Sequence, residues 1–165
     1  MAVVVLRATA KLLSKLGVPD ATPPASTTAL GDWYGTVLRM RQGHFVLAVA
    51  GATLLPVVLP AREPRTLPQR LVAAVSAVLT SFRVPVPAVE REVGAMAEMR
   101  YARTDNRSTV GVLMNLEQSL RFRLEDDPTF DIVEISRWLA ETPITARNTF
   151  PDHATCRLFG VAPPR

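Results

Sequence analysis

Cysteine is nearly absent from this sequence of 165 residues, with Cys156 standing alone. No internal disulfide can close, and a zinc site built on paired thiolates is excluded. A reducing compartment, the cytoplasm, fits that usage. Histidine is as scarce: His44 and His153 lie far apart, outside metal-ligand spacing, so neither a metal nor another cofactor is expected. Cys156 follows His153 closely enough for a thiolate pair, but a bystander thiol is the simpler description. The sequence has no phosphate-binding glycine loop, no zinc-protease motif and no serine-nucleophile elbow. That lack leans against an enzyme, and no residue is nominated as catalytic. Long apolar runs are missing too. The stretch from Phe45 to Ala61 is broken by Gly51, Pro56 and Pro60 and is shorter than the roughly 20 residues that cross a bilayer. The apolar start, Met1 to Leu6, has no basic residue ahead of it and meets Arg7 too soon for a signal peptide. It reads as a first strand.

What is present is an ordinary globular composition, 48% hydrophobic and 21% charged, enough to bury about two-thirds of the unfolded surface around one core. The net charge is +4 and the isoelectric point basic. Its distribution is uneven: residues 1–104 hold twelve basic and six acidic side chains, whereas residues 105–141 hold four and eight. Most arginines stand singly among apolar residues, which suits solvated helix faces, although a basic middle third also suits an anionic partner.

Hydrophobic periodicity orders the elements. A β-branched strand at Ala2–Leu6 precedes a helix at Thr9–Leu16, which Gly17 and Pro19 stop. Residues 17–31 form a loop, and Trp33–Met40 suits either strand or helix. His44–Ala50 and Thr53–Leu59 read as a hairpin turning at Gly51 and Ala52. Pro56 lacks an amide donor, so its strand belongs at a sheet edge or a bulge. Thr66 and Gln69 suggest a capping box ahead of a helix with Leu67, Leu71, Val75, Val78 and Phe82 inward. Pro87 opens another helix, with Val89, Val93 and Met96 inward and Glu90, Arg91, Glu92 and Glu98 toward water. Met99–Arg103 suits a strand. Asp105 or Ser108 then caps a helix whose stripe is Val110, Leu113, Leu116, Leu120 and Leu124. A last helix spans 129–141.

Several segments together carry a resemblance: Thr9–Leu13, Leu30–Tyr34, Thr53–Arg62, and Asn106-Arg107-Ser108 followed by Gly111. In their order and spacing over roughly residues 1–141 the chain resembles an uncharacterised bacterial protein family, domain of unknown function 6933. The resemblance implies no settled activity. Some members are similar to hypothetical proteins of plasmids and transposable elements, which points weakly toward mobile DNA. One departure stands out. After Gly111 this chain reads Val112, Leu113, Met114 and Asn115, where the family pattern continues with serine, a hydrophobic residue, asparagine and an acid.

Three groups of residues are candidates for a site. Asp105, Asn106, Arg107 and Ser108 form a dense polar stretch before a helix, where free amides and Arg107 could hold a phosphate or carboxylate; the same residues would also serve as a cap and turn. Asp32, Trp33 and Tyr34 could line a pocket or a partner surface, or anchor their loop on the core. Arg62, Arg65, Arg70, Arg100 and Arg103, with Arg107, could contact nucleic acid. The acidic knot of Glu125, Asp126, Asp127 and Asp131 reads as a turn that opens a helix with favourable dipole charges.

The fold expected is α+β: a small antiparallel or mixed sheet of three to five strands with about five helices packed mainly on one face. Residues 1–141 form one globular domain, and residues 142–165 an extended, proline-containing C-terminal tail. The function expected is a non-catalytic binding or regulatory protein with a protein partner or nucleic acid and no membrane. The alternatives are a nucleic-acid accessory protein of a mobile element and an enzyme acting on a phosphate-bearing substrate near Asp105, Asn106 and Arg107.

Overall fold

The computed structural model describes residues 1–164. Strand β1 (Val3–Ala8) runs into helix α1 (Ala10–Leu16), and a long loop returns the chain to the sheet. Strands β2 (Trp33–Met40), β3 (Gly43–Ala50) and β4 (Pro56–Pro60) then form an antiparallel meander. Helices α2 (Leu67–Ser81) and α3 (Val86–Gly94) lead to strand β5 (Glu98–Arg103). Helices α4 (Arg107–Asp126), α5 (Ile132–Ala140) and α6 (Pro151–Leu158) complete the chain. The strand order is β4-β3-β2-β1-β5, with β1 parallel to both β2 and β5. The sheet is therefore mixed and the fold α+β, as the alternation of elements implied.

Both faces of the sheet are covered. Along β3 every side chain from Phe45 to Ala50 is buried, and successive ones belong to opposite layers, because side chains alternate along a strand. Val46, Ala48 and Ala50 pack with Leu12 of α1 and Leu71 and Val75 of α2. Phe45, Leu47 and Val49 pack with Leu113, Leu116, Leu120 and Leu124 of α4 and with Ile135 and Leu139 of α5. Helices packed mainly on one face are thus corrected to helices on both. Apolar stripes show that a helix needs a sheet face, but they do not say which face.

Edge protection follows from local chemistry. Strand β4 lies at one edge, so Pro56 removes no ladder bond inside the sheet. Helix α5 covers that edge, where the buried Ser136 hydroxyl accepts a bond from the Val58 amide at 3.0 Å. At the other edge β5 carries Arg100 and Arg103, charges that discourage pairing with another chain. On β2, a Cβ at Gly35 would come within 3.1 Å of Leu6 and 3.2 Å of Leu12. The missing side chain lets α1 lie close on the sheet.

Five local expectations need correction. Thr66 forms no capping box; its hydroxyl donates to the Glu63 carbonyl instead. Helix α4 is capped by Asn106, which accepts from the Thr109 amide at 3.1 Å, and not by Asp105 or Ser108. Thr109 and Val112 take the buried places assigned to Val110. Residues 151–158 of the expected extended tail are helical, and Cys156 and Thr155 of α6 are fully buried. Glu92 of α3, expected in water, is also buried, for a reason given below.

Candidate functional site

The helix after β1 lies on one face of the sheet and the helix after β5 on the other. Where adjacent parallel strands send their chains to opposite faces, a crevice opens outside their carboxyl ends, and open sheets of this kind bind ligands there. A cleft of about 440 Å³ occupies this position. Its lining combines apolar Val18, Pro19, Ala21, Pro23 and Ala102 with the charged Arg7, Asp20, Arg103 and Asp105.

A connected polar network backs Arg7 and Asp105. Arg7 stands on β1 between Leu6 and Ala8, whose side chains enter the α1 layer, so its own emerges on the other side. Its Nε donates to Asp32 Oδ2 at 2.8 Å and lies 3.4 Å from Asp105 Oδ1. Its Nη1 donates to the Arg103 carbonyl at 3.1 Å. The Tyr34 hydroxyl donates to Asp105 Oδ1 at 2.6 Å, and Ser26 donates to Asp32 Oδ1 at 2.6 Å. Ser26 also accepts from the Val5 amide at 2.9 Å, extending β1 sideways where β2 has not yet begun. Four stretches of the chain are joined in this way.

Charge states follow from these contacts. Burial pulls the Arg7 pKa down, but the Asp32 hydrogen bond and the charges of Asp105 and Asp32 outweigh it, leaving the pKa raised. Arg7 is a permanent cation in this setting. Burial, the hydrogen bond to Asp105 and that carboxylate's charge raise the Tyr34 pKa well above the usual tyrosine value, with Arg7 opposing. The phenol stays a proton donor. Asp105 is the accessible member, with 53% of its side chain exposed against 16% for Arg7.

The loop that supplies Asp32 is held from beneath. Glu92 reaches across from α3, where Oε1 accepts from the Ala29 amide at 2.8 Å and Oε2 from the Leu30 amide at 3.0 Å. Two amides inside a loop that covers the core would otherwise lack partners. A second brace is Gly51, whose amide donates to the Asp32 carbonyl at 2.7 Å, and where a Cβ would sit 3.0 Å from that oxygen.

The sequence candidates divide. Asp105 joins Asp32 and Tyr34, so two of the three nominated groups meet. Trp33 does not join them: it points into the α1–α2 layer, fully buried, and its Nε1 finds no acceptor among the described residues. Asn106 is committed to its cap, and Ser108 accepts from Arg147 Nη2 at 3.1 Å, as does Thr109 at 2.9 Å. Arg107 is exposed in the first turn of α4. Arg100 and Arg103 lie on edge strand β5, whereas Arg62, Arg65 and Arg70 follow the opposite edge strand, β4. Arg100 pairs with Glu98 and Asp20, and Arg65 with Glu63. In the acidic knot, Asp127 accepts from Thr129 and Asp131 caps α5 by accepting from the Glu134 amide. Arg7, Ser26, Glu92 and Arg147 were not nominated. Of these only Arg7 carried a signal, as a lone charge inside a strand otherwise buried.

Comparison with protein families decides the relationship that the segment order suggested. The model of one family, described as a domain of unknown function (DUF6933), matches residues 5–154. The chain belongs to that family. No curated protein and no solved structure matches it. The family match runs from within β1 into α6 and so includes Arg7, Asp32, Tyr34 and Asp105.

Proposed function

We propose that this member of the family is a non-catalytic binding protein whose ligand is a small molecule held in the cleft at the carboxyl ends of β1 and β5. The observation that carries this reading is that Arg7 and Asp105, fixed from behind by Asp32 and Tyr34, line a cleft whose remaining lining is largely apolar. An apolar pocket with a few fixed polar groups is the usual form of a small-molecule site. Asp105 supplies the anchor, since Oδ1 is engaged by Tyr34 while the half-exposed carboxylate can still accept from a ligand. The cleft is lined by two basic and two acidic side chains, which favours a neutral or zwitterionic head group over a phosphate. Arg7 and Tyr34 are each held in one protonation state, which suits positioning better than proton transfer. The lone cysteine is buried, which suits a reducing cytoplasm.

The test is a thermal-shift screen of neutral, zwitterionic and phosphate-bearing compounds, followed by calorimetry on Asp105→Asn. A ligand at about 100 times its Kd adds about 2.7 kcal/mol, raising Tm by about 5–10 °C for a chain of this length. Asp105→Asn should keep the fold and weaken binding at least about tenfold, the loss of one charge-assisted bond. Stabilisation by phosphate-bearing compounds alone, or equal binding by the variant, would sink the reading.

A further inference from the structure

A second surface, away from that cleft, carries unpaired positive charge. Lys11 and Lys15 lie on the outer side of α1, Arg39 and His44 near the facing ends of β2 and β3, and Arg62 just after β4; all five are exposed. Two adjoining grooves run among them. One is lined by Lys11, Lys15, Arg39, His44 and Arg121, and the other by Lys15, Arg62 and Arg70; Lys15 and Val37 are common to both. Neither groove has an acidic lining residue. Among the described residues the ion-paired arginines are Arg7, Arg65, Arg100, Arg121 and Arg123, so Lys11, Lys15, Arg39 and Arg62 keep their charges free.

The fold assembles this patch from four segments. Arg39 alternates with the inward Leu38, so it shares the α1 side of the sheet with Val37. The Ala61 amide donates to the His44 carbonyl at 2.8 Å, which brings the chain after β4 back beside β3. Arg70 is anchored beneath, with Nη1 donating to the Pro60 carbonyl and Nε to Thr66. Its pKa is lowered by burial and by the neighbouring charge of Arg62, so the like charges are felt inside the patch.

We infer that the face built by Lys11, Lys15, Arg39 and Arg62 binds the phosphodiester backbone of duplex nucleic acid without reading its sequence. Free cations gathered on one face attract a phosphate backbone whatever its sequence, through the release of counterions. No Phe, Tyr or Trp lines either groove and His44 is the one ring there, so the platform of successive rings that single strands stack on is missing. Apart from Pro64 no apolar side chain larger than alanine is exposed in the grooves, too little to enter a lipid surface.

The test is fluorescence anisotropy with a labelled duplex of about 20 base pairs, titrated with salt; with about four phosphates neutralised, log K should fall against log salt with a slope of about −3.6. Affinity then drops roughly 100-fold between about 50 and 200 mM salt. The double variant Lys15→Ala/Arg39→Ala should fold as the parent does, since both side chains are exposed, and should lower the slope by about 1.8. Arg65→Ala/Glu63→Ala, which deletes a paired cation with its acid, should leave the slope unchanged. The inference is overturned by absence of duplex binding at low salt, by equal slopes for the parent and the Lys15/Arg39 variant, or by tighter binding to poly-glutamate than to the duplex. Binding that persists in Asp105→Asn supports a surface separate from the cleft.

Discussion

Replacing Glu92 by alanine tests how the cleft is held open. The carboxylate is 3% exposed and accepts from the Ala29 and Leu30 amides at 2.8 and 3.0 Å. Removing it leaves two buried donors without partners, each costing about 1–3 kcal/mol. Water entering the vacated space would satisfy them in part, so the expected loss is about 3 kcal/mol. For a chain of this length that lowers Tm by roughly 6–12 °C. Glu92→Gln keeps one acceptor oxygen and turns an amide group toward the second donor, so it should fall between the parent and Glu92→Ala. Urea denaturation gives the energies, and hydrogen exchange at Ala29 and Leu30 locates them. In Glu92→Ala both amides should exchange far faster, and because the same loop carries Ser26 and Asp32, ligand affinity at the cleft should fall as well. A loss below about 0.5 kcal/mol, within the range of ordinary surface substitutions, with unchanged exchange at both amides would refute the assignment.

Two further predictions concern the network and the core. Tyr34 is raised above its unfolded pKa by burial first and then by Asp105, so its contribution to stability is complete below about pH 10 and is lost as pH rises from there toward the folded value. Urea midpoints should therefore decline above about pH 10, and Tyr34→Phe should flatten that decline; an identical decline in the variant would contradict the network. In the α4 layer, Leu120→Ala removes a fully buried side chain and should cost about 2.7–5 kcal/mol by denaturation, whereas a cost under about 1 kcal/mol would mean that α4 does not pack as described.

Much of the fold was legible because the signals were local. The Leu67, Leu71, Val75 and Val78 stripe needs only helical spacing, and Pro56 marks an edge strand because it lacks a donor whatever surrounds it. Helix α6 was not legible: it is short and proline-rich in its flanks, and its innermost residues include Thr155 and Cys156 rather than a row of leucines. Glu92 was misplaced because a carboxylate in an amphipathic helix ordinarily faces water, and the amides that hold it lie 62 and 63 residues upstream. The site shows the same division. Asp105 stood out by polar density, and Asp32 and Tyr34 by an aromatic pair beside an acid. That they share one network depends on Arg7, which reaches Arg103 across 96 residues once β1 and β5 pair. No spacing rule within a segment encodes that contact. Of the basic face only Arg62 and Arg70 stood among the nominated arginines, for a related reason: charges scattered singly along the chain are gathered by the β2–β3 turn and by the return of the chain beside α1.

The most direct measurement is a map of backbone amide shifts by two-dimensional NMR as a ligand from the screen is added. A molecule seated in the cleft should move the signals of Arg7, Asp20, Ala21 and Ala102 to Asp105, leaving those of Lys15, Arg39 and Arg62 in place. Shifts scattered over the surface, or centred on α4 and α5 away from the carboxyl ends of β1 and β5, would contradict the account.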